Sequence, residues 1–156
     1  MYLKSSSELD MPSNNFDDFV ASLQKEIIEK EKEEFNEYIV ELFHDPKNWG
    51  KPLENDISVS QSYTGSCGDT MSYFLKIEND IINKANFITD GCGASVATGC
   101  QTTLLIEGKT LEYVENLNAE DIDQALKGLP DNHKHCAELS IRTLRKAIKK
   151  YKSQKI

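Results

Sequence analysis

The sequence predicts a mixed fold in which a meander of three antiparallel strands is flanked by helical segments. Three observations predict it. Apolar residues recur at helical spacing before residue 44 and after residue 93, while strict alternation fills the stretch between them. The alternating runs are joined by links too short for a crossover helix, which leaves antiparallel neighbours as the economical topology. The chain has 156 residues and 38% hydrophobic content, enough for about one domain with a proper core and no disulfide support.

Residues 1–13 are polar, lack periodicity and read as a frayed start. Asn15 followed by Asp18 has the form of a capping box, and Phe16, Phe19, Val20, Leu23 and Ile27 then fall on one helical stripe. The run E-K-E-K-E-E at 29–34 reads as a solvated helix face, with Glu26 and Lys30 in the favourable i,i+4 order. The stripe resumes at Phe35, Tyr38, Ile39, Leu42 and Phe43. This segment is therefore either one helix over 15–44 or two helices hinged near 30–34. Pro46 stops it, because the residue before proline avoids helical geometry, and His44 becomes a helix-end residue.

Ile57, Val59, Gln61 and Tyr63 alternate in a first strand, followed by the tip T-G-S-C-G-D. Met71, Tyr73, Leu75 and Ile77 alternate in a second strand, Glu78-Asn79-Asp80 turns the chain, and Ile81 to Thr89 forms a third strand. A helix is expected from about 94 to 106, stopped by Gly108. Thr110 caps a short helix over 111–116, and Asn118 with Asp121 caps another over 119–127, ended by Leu129-Pro130. The last helix runs from about 134 to 151, with Leu139, Leu144, Ala147, Ile148 and Tyr151 inward and lysines at its C-terminal end, where they suit the helix dipole.

The net charge of −8 argues against nucleic acid or an anionic membrane as partner. No apolar run approaches the ~18–20 residues that span a bilayer, and the stretch M-Y-L-K-S-S-S-E lacks a signal-peptide core. A cytoplasmic protein is expected. Thiols stay reduced there, so cysteines at loop tips point to metal binding or catalysis rather than cross-links.

Cys67 sits at the tip between strands one and two, with Gly65 and Gly68 allowing a tight turn, and Asp69 lies two residues on, on the same side of an extended chain. Cys92 stands between two glycines before a helix, and Cys136 stands in the first turn of another, positions where a helix N-terminus favours the thiolate. His135 adjoins Cys136, with His133 close by as an alternate ligand, a hydrogen-bond donor to a ligand or an exposed residue. Converging loop tips would gather three thiolates and an Asp or His ligand, a set suited to Zn²⁺ or an iron–sulfur cluster. Cys100, inside a helix, reads as a small buried hydrophobe.

The order C-G-D, then G-C-G 25 positions on, then H-C 44 further, resembles the U-type iron–sulfur cluster assembly scaffold (the IscU and NifU N-terminal family). D-P-K-N-W-G at 45–50 is similar to that family's N-P-x-N-x-G segment, and G-K-T-L-E at 108–112 to its G-K-[ST] turn. The resemblance covers about 35–151. It implies an α+β fold with the helices on one face of a three-stranded antiparallel sheet, a scaffold domain over 35–156 and an N-terminal helical extension over 1–34. It implies Cys67, Cys92 and Cys136 as essential cysteines with Asp69 and His135 beside them, and Cys136 as the candidate persulfide acceptor.

The function so implied is non-enzymatic: accepting sulfur from a cysteine desulfurase, binding iron, building a transient [2Fe-2S] cluster and passing it to acceptor apo-proteins. The alternative is a zinc-bound SufU-like protein that takes persulfide sulfur and stimulates the desulfurase, since Zn²⁺ satisfies the same ligands. Three departures stand out. L-P-D-N-H at 129–133 replaces the family's chaperone-read L-P-P-V-K, the long insertion of the SufU branch is absent between Cys92 and Cys136, and compact members lack residues 1–34. The apolar stripe of that extension is expected to pair between protomers as a homodimer, with packing on its own chain as the alternative.

Overall fold

A computed structural model describes the backbone of residues 5–155 and the side chains of residues 15–155. The chain divides into two compact units, residues 1–35 and residues 36–156. Among its described residues the first holds a single helix, α1 (Ser5–Glu34). Residues 1–4 of the expected irregular start lie outside the described residues, and from Ser5 the backbone is helical, so Asn15 and Asp18 stand inside a helix rather than at its start. Of the two readings of 15–44, the two-helix one holds, with the break at residues 35–36.

In the second unit Asn36 starts α2 (Glu37–His44), its Oδ1 accepting from the Ile39 N–H at 2.9 Å while its Nδ2 donates to Leu126 O at 2.9 Å. A short 3-10 turn (Glu54–Asp56) leads into the sheet, whose strands β1 (Val59–Thr64), β2 (Thr70–Glu78) and β3 (Ile81–Thr89) lie in sequence order and are antiparallel throughout. α3 (Gly93–Ile106), α4 (Leu111–Glu115), α5 (Ala119–Ala125) and α6 (His135–Gln154) follow. Thr110 caps α4, and Asn118 with Asp121 forms a complete capping box on α5.

The pleat sends Met71, Tyr73, Leu75 and Ile77 of β2 to the same face as Ile82, Ala85 and Phe87 of β3, and all are buried under α3 and α6. α3 comes close enough to the sheet that a Cβ on Gly99 would fall 2.4 Å from the Phe87 ring. A polar contact crosses this core: Tyr73 Oη lies 2.5 Å from Ser140 Oγ, which lies 2.8 Å from Thr102 Oγ1. Burial pushes the Tyr73 phenol up to about 12.

The segments that resemble family motifs close the outer edge of β3. Phe87 N–H donates to Asn48 O at 3.0 Å and Gly50 N–H to Phe87 O at 2.9 Å. Farther along, Gly108 N–H donates to Ile82 O at 2.7 Å and Ile82 N–H to Lys109 O at 2.9 Å. An edge that would otherwise offer unpaired backbone groups is thereby covered.

Candidate metal centre

The candidate site forms where one end of the sheet meets the N-termini of α3 and α6. The β1–β2 link is a tight tip: Gly65 N–H donates to Asp69 O and Gly68 N–H to Gly65 O, both at 3.0 Å, and Gly68 has φ +93°. This puts Cys67 at the exposed apex and Asp69 at the mouth of β2. The exit of β3 is tied to the same place, with Thr70 N–H donating to Asp90 Oδ1 at 2.8 Å and Thr89 Oγ1 to Thr70 O at 2.7 Å. A Cβ on Gly91 would lie 2.4 Å from Ser95 Oγ and 3.0 Å from Asp69 Oδ2, so only glycine lets tip, exit and helix come this close. Cys92 occupies the N-cap of α3 and is exposed.

The third contribution comes from the turn before α6. Asp131–His133 make one 3-10 turn, fixed by Lys134 Nζ donating to Leu129 O at 3.0 Å and to Asp123 Oδ2 at 3.1 Å. His135 opens α6 beside the tip. One ligand atom each from Cys67, Asp69 and His135 lie within 4.8 Å of one another. Metal–ligand bonds of 2.0–2.3 Å in a tetrahedral site set ligands roughly 3.5 Å apart, so modest closure of exposed side chains would suffice for one ion.

The other expected ligands stand around this group. Cys136 Sγ lies 3.8 Å from His135 Nε2 and 3.5 Å from Ser95 Oγ, and Ser95 Oγ donates to Asp69 Oδ2 at 3.4 Å. Cys92 Sγ lies 3.9 Å from His133 Nδ1. The two histidines thus divide the site, His135 toward Cys67 and Cys136, His133 toward Cys92. Cys100 is buried away from it, its Sγ accepting the Lys47 N–H at 3.2 Å. His44 ends α2, its ring centroid 4.7 Å from that of Phe43.

One expectation is reversed by the geometry. Cys136 begins a helix, where a thiolate was expected, yet it is fully buried. Burial pushes its thiol up to about 11 from an ordinary 9.0, with Cys92, Asp69 and Cys67 adding to the rise and the Ser95 hydrogen bond opposing it. Desolvation outweighs the helix terminus. Cys67 and Cys92, by contrast, are presented to solvent.

Two features were missed by sequence reasoning. Ser95 links Asp69 to Cys136, and its only sequence mark is a hydroxyl in the first turn of a helix otherwise begun with small residues. A cleft of about 190 Å³ opens beside Cys67 and His135, lined also by Tyr63, Glu138 and Arg142. Glu138 and Arg142 follow His135 on one face of α6 at helical spacing, a pattern visible only once the site is known.

Comparison with known proteins settles the kinship. Residues 34–156 match the NifU-like N terminal domain family. The chain belongs to that family. It is 39% identical to the iron-sulfur cluster assembly scaffold protein IscU of Aquifex aeolicus over 120 residues, 76% of each chain. It is 32% identical to the protein of the same name from Escherichia coli, covering 78% of this chain and 96% of that one. The nitrogen fixation protein NifU of Nostoc is 33% identical but longer, and the chain covers 42% of it.

Among solved structures, the N-terminal NifU-like protein from Brucella abortus superposes with a TM-score of 0.65 at 12% identity, over 78% of this chain and 96% of that one, a likeness of fold. A putative iron-sulfur cluster assembly scaffold protein for the SUF system from Fervidobacterium islandicum superposes with a TM-score of 0.57 at 25% identity, over 75% of this chain and 98% of that one. Among the described residues no helix is long and apolar enough to cross a membrane.

Proposed function

We propose that this chain is a scaffold on which an iron–sulfur cluster is assembled and from which it is passed to acceptor apo-proteins. The observation that carries the reading is the gathering of a thiol, a carboxylate and an imidazole from Cys67, Asp69 and His135 within 4.8 Å, with the Cys92 and Cys136 thiols at its margin. Iron and sulfide are the cargo. Cys67, Cys92 and Cys136 supply thiolates, which suit iron, and Asp69 or His135 completes the set as a weaker oxygen or nitrogen ligand. Such a mixed set holds a [2Fe-2S] cluster without keeping it. Residues 35–156 form the scaffold domain, and residues 1–34 are an extension to it.

Sulfur comes from a cysteine desulfurase as persulfide. A thiolate of this chain attacks the outer sulfur, the donor's S–S bond breaks, and the donor leaves as a thiolate. Cys136 is the candidate acceptor. Being buried, with Ser95 and His135 against its Sγ, it accepts only after the side chains around it move aside. Cys67 and Cys92 need no such opening. The protein works in the cytoplasm, where its four free cysteines stay reduced, and it has no turnover of its own.

A second reading, a zinc-bound sulfur-transfer protein that stimulates the desulfurase, is favoured by a donor set that Zn²⁺ accepts equally well. Anaerobic incubation with ferrous iron, cysteine and a desulfurase separates the two. The scaffold develops visible charge-transfer bands; a colourless zinc-loaded protein that only accelerates the desulfurase sinks the scaffold reading.

A further inference from the structure

We propose that the apolar face of α1 is a docking surface for a basic amphipathic helix of another protein. Phe16, Val20, Leu23 and Ile27 follow one another at spacings of four, three and four, the seam of a coiled coil. Phe16, Leu23 and Ile27 are 64%, 44% and 47% exposed, and Phe19 beside them is 62% exposed. A lone helix has nothing of its own with which to cover such a face. The β-branched pair Val20 and Ile27 alternating with Leu23 suits two-stranded pairing, so one further helix fits the seam.

Charge decides which helix. The positions flanking the seam are Asp17, Phe19, Gln24, Glu26, Glu31 and Glu33, with no base among them. Lys25 and Lys32 fall on the opposite side of the helix, and the seam ends in Lys30 and Glu34. In a parallel pair of identical copies Glu26 would face Glu31 of the second copy, and Lys30 would face Lys30. Turning one copy around brings no cation to these acids either. A second copy therefore brings no cation to Asp17, Glu26 or Glu33, whereas a helix with lysine or arginine beside an aliphatic seam answers these acids. The apolar seam spans two heptads, shorter than the three or four that sustain a coiled coil, so the docking is of the transient kind and depends on the charges. This surface lies in the first unit and is independent of the cluster reading.

The test uses the intact chain and two labelled synthetic helices that share an isoleucine and leucine seam, one flanked by lysine and one by glutamate. Anisotropy titrations at low ionic strength should show the lysine helix binding at least about tenfold more tightly, with the gap closing at high salt. Leu23→Gln should abolish binding of both while circular dichroism stays helical. Glu26→Gln with Glu33→Gln should shrink the gap and leave the seam intact. Sedimentation should find the unliganded chain monomeric at micromolar concentration. A dimer that Leu23→Gln dissolves would assign the face to a second copy and overturn the proposal. Equal binding of the two helices, or binding of neither, would overturn it as well.

Discussion

At the loop-built end of the sheet Cys67 and Cys92 face solvent and Gly91 marks a crowded polar junction; in the interior Cys100 is sealed and Gly99 marks a crowded apolar one. The same residue types serve opposite ends in the two regions. At the tip, glycine lets a carboxylate, a hydroxyl and a thiol approach, so its Cβ would meet Ser95 and Asp69. In the interior, glycine lets α3 settle onto the Phe87 ring. Cys136 lies between these cases, buried like Cys100 yet in contact with the polar group around Asp69. The lesson is that chemistry follows surroundings: a cysteine beside Ser95 and His135 adjoins the candidate site, and one beside a backbone N–H in the core is packing.

The largest effect that would sharpen the contrast comes from the glycines. Gly99→Val forces two methyl groups into Phe87 and should cost about 3 kcal/mol in urea unfolding. Gly91→Ala should cost less stability but weaken metal retention, because Ser95 and Asp69 must move. Equal loss of stability in both would erase the distinction between tip and interior. Next is Asp69→Ala: under the proposed ligation it removes a hard, labile oxygen ligand and should lengthen the life of an assembled cluster in air by on the order of fivefold. Unchanged or faster bleaching counts against a ligand role for Asp69.

Smaller still is Cys100→Ser. Its hydroxyl can accept the Lys47 N–H that Sγ accepts, so the cost falls to about 1 kcal/mol, and cluster assembly should persist. Failure of Cys100→Ala to assemble a cluster would move Cys100 into the site.

The smallest effect concerns Tyr73. With its folded value raised to about 12 by burial, the fold keeps a proton that the unfolded chain gives up near 10, so this contribution to stability is intact below pH 10 and is lost between 10 and 12. Tyr73→Phe should remove the last phenol to titrate by ultraviolet absorbance and cost about 1 kcal/mol, since Ser140 keeps Thr102 as partner. Loss of an early-titrating phenol instead would place Tyr73 at the surface.

Much of this was legible in the sequence. Alternation located all three strands, period and capping residues located α4 to α6, and α3, buried nearly all round, was located by its small residues and the stop at Gly108. The tip cysteines were legible because glycine and aspartate beside a thiol are poor choices for a core. What was hidden depends on distant partners. The state of Cys136 is set by Ser95, 41 residues away, and by a core that closes over it. The box-like Asn15-x-x-Asp18 did not mark the start of α1, because the backbone is already helical from Ser5 and both residues are compatible with a helix interior. The N-x-G-like segment at 48–50 read as a family mark, and its physical role as the cover of the β3 edge emerged only from the pairing with Phe87.

The central claim is that three of the four thiols belong to one site and the fourth to the core. Alkylation of the intact chain under native conditions, mapped by mass spectrometry before and after anaerobic cluster loading, tests it most directly. Cys67 and Cys92 should react readily in the unloaded protein, Cys136 slowly and Cys100 hardly at all, and loading should shield Cys67, Cys92 and Cys136 together. Cys67 or Cys92 remaining equally reactive in the loaded protein, or Cys100 changing with the cluster, would contradict it.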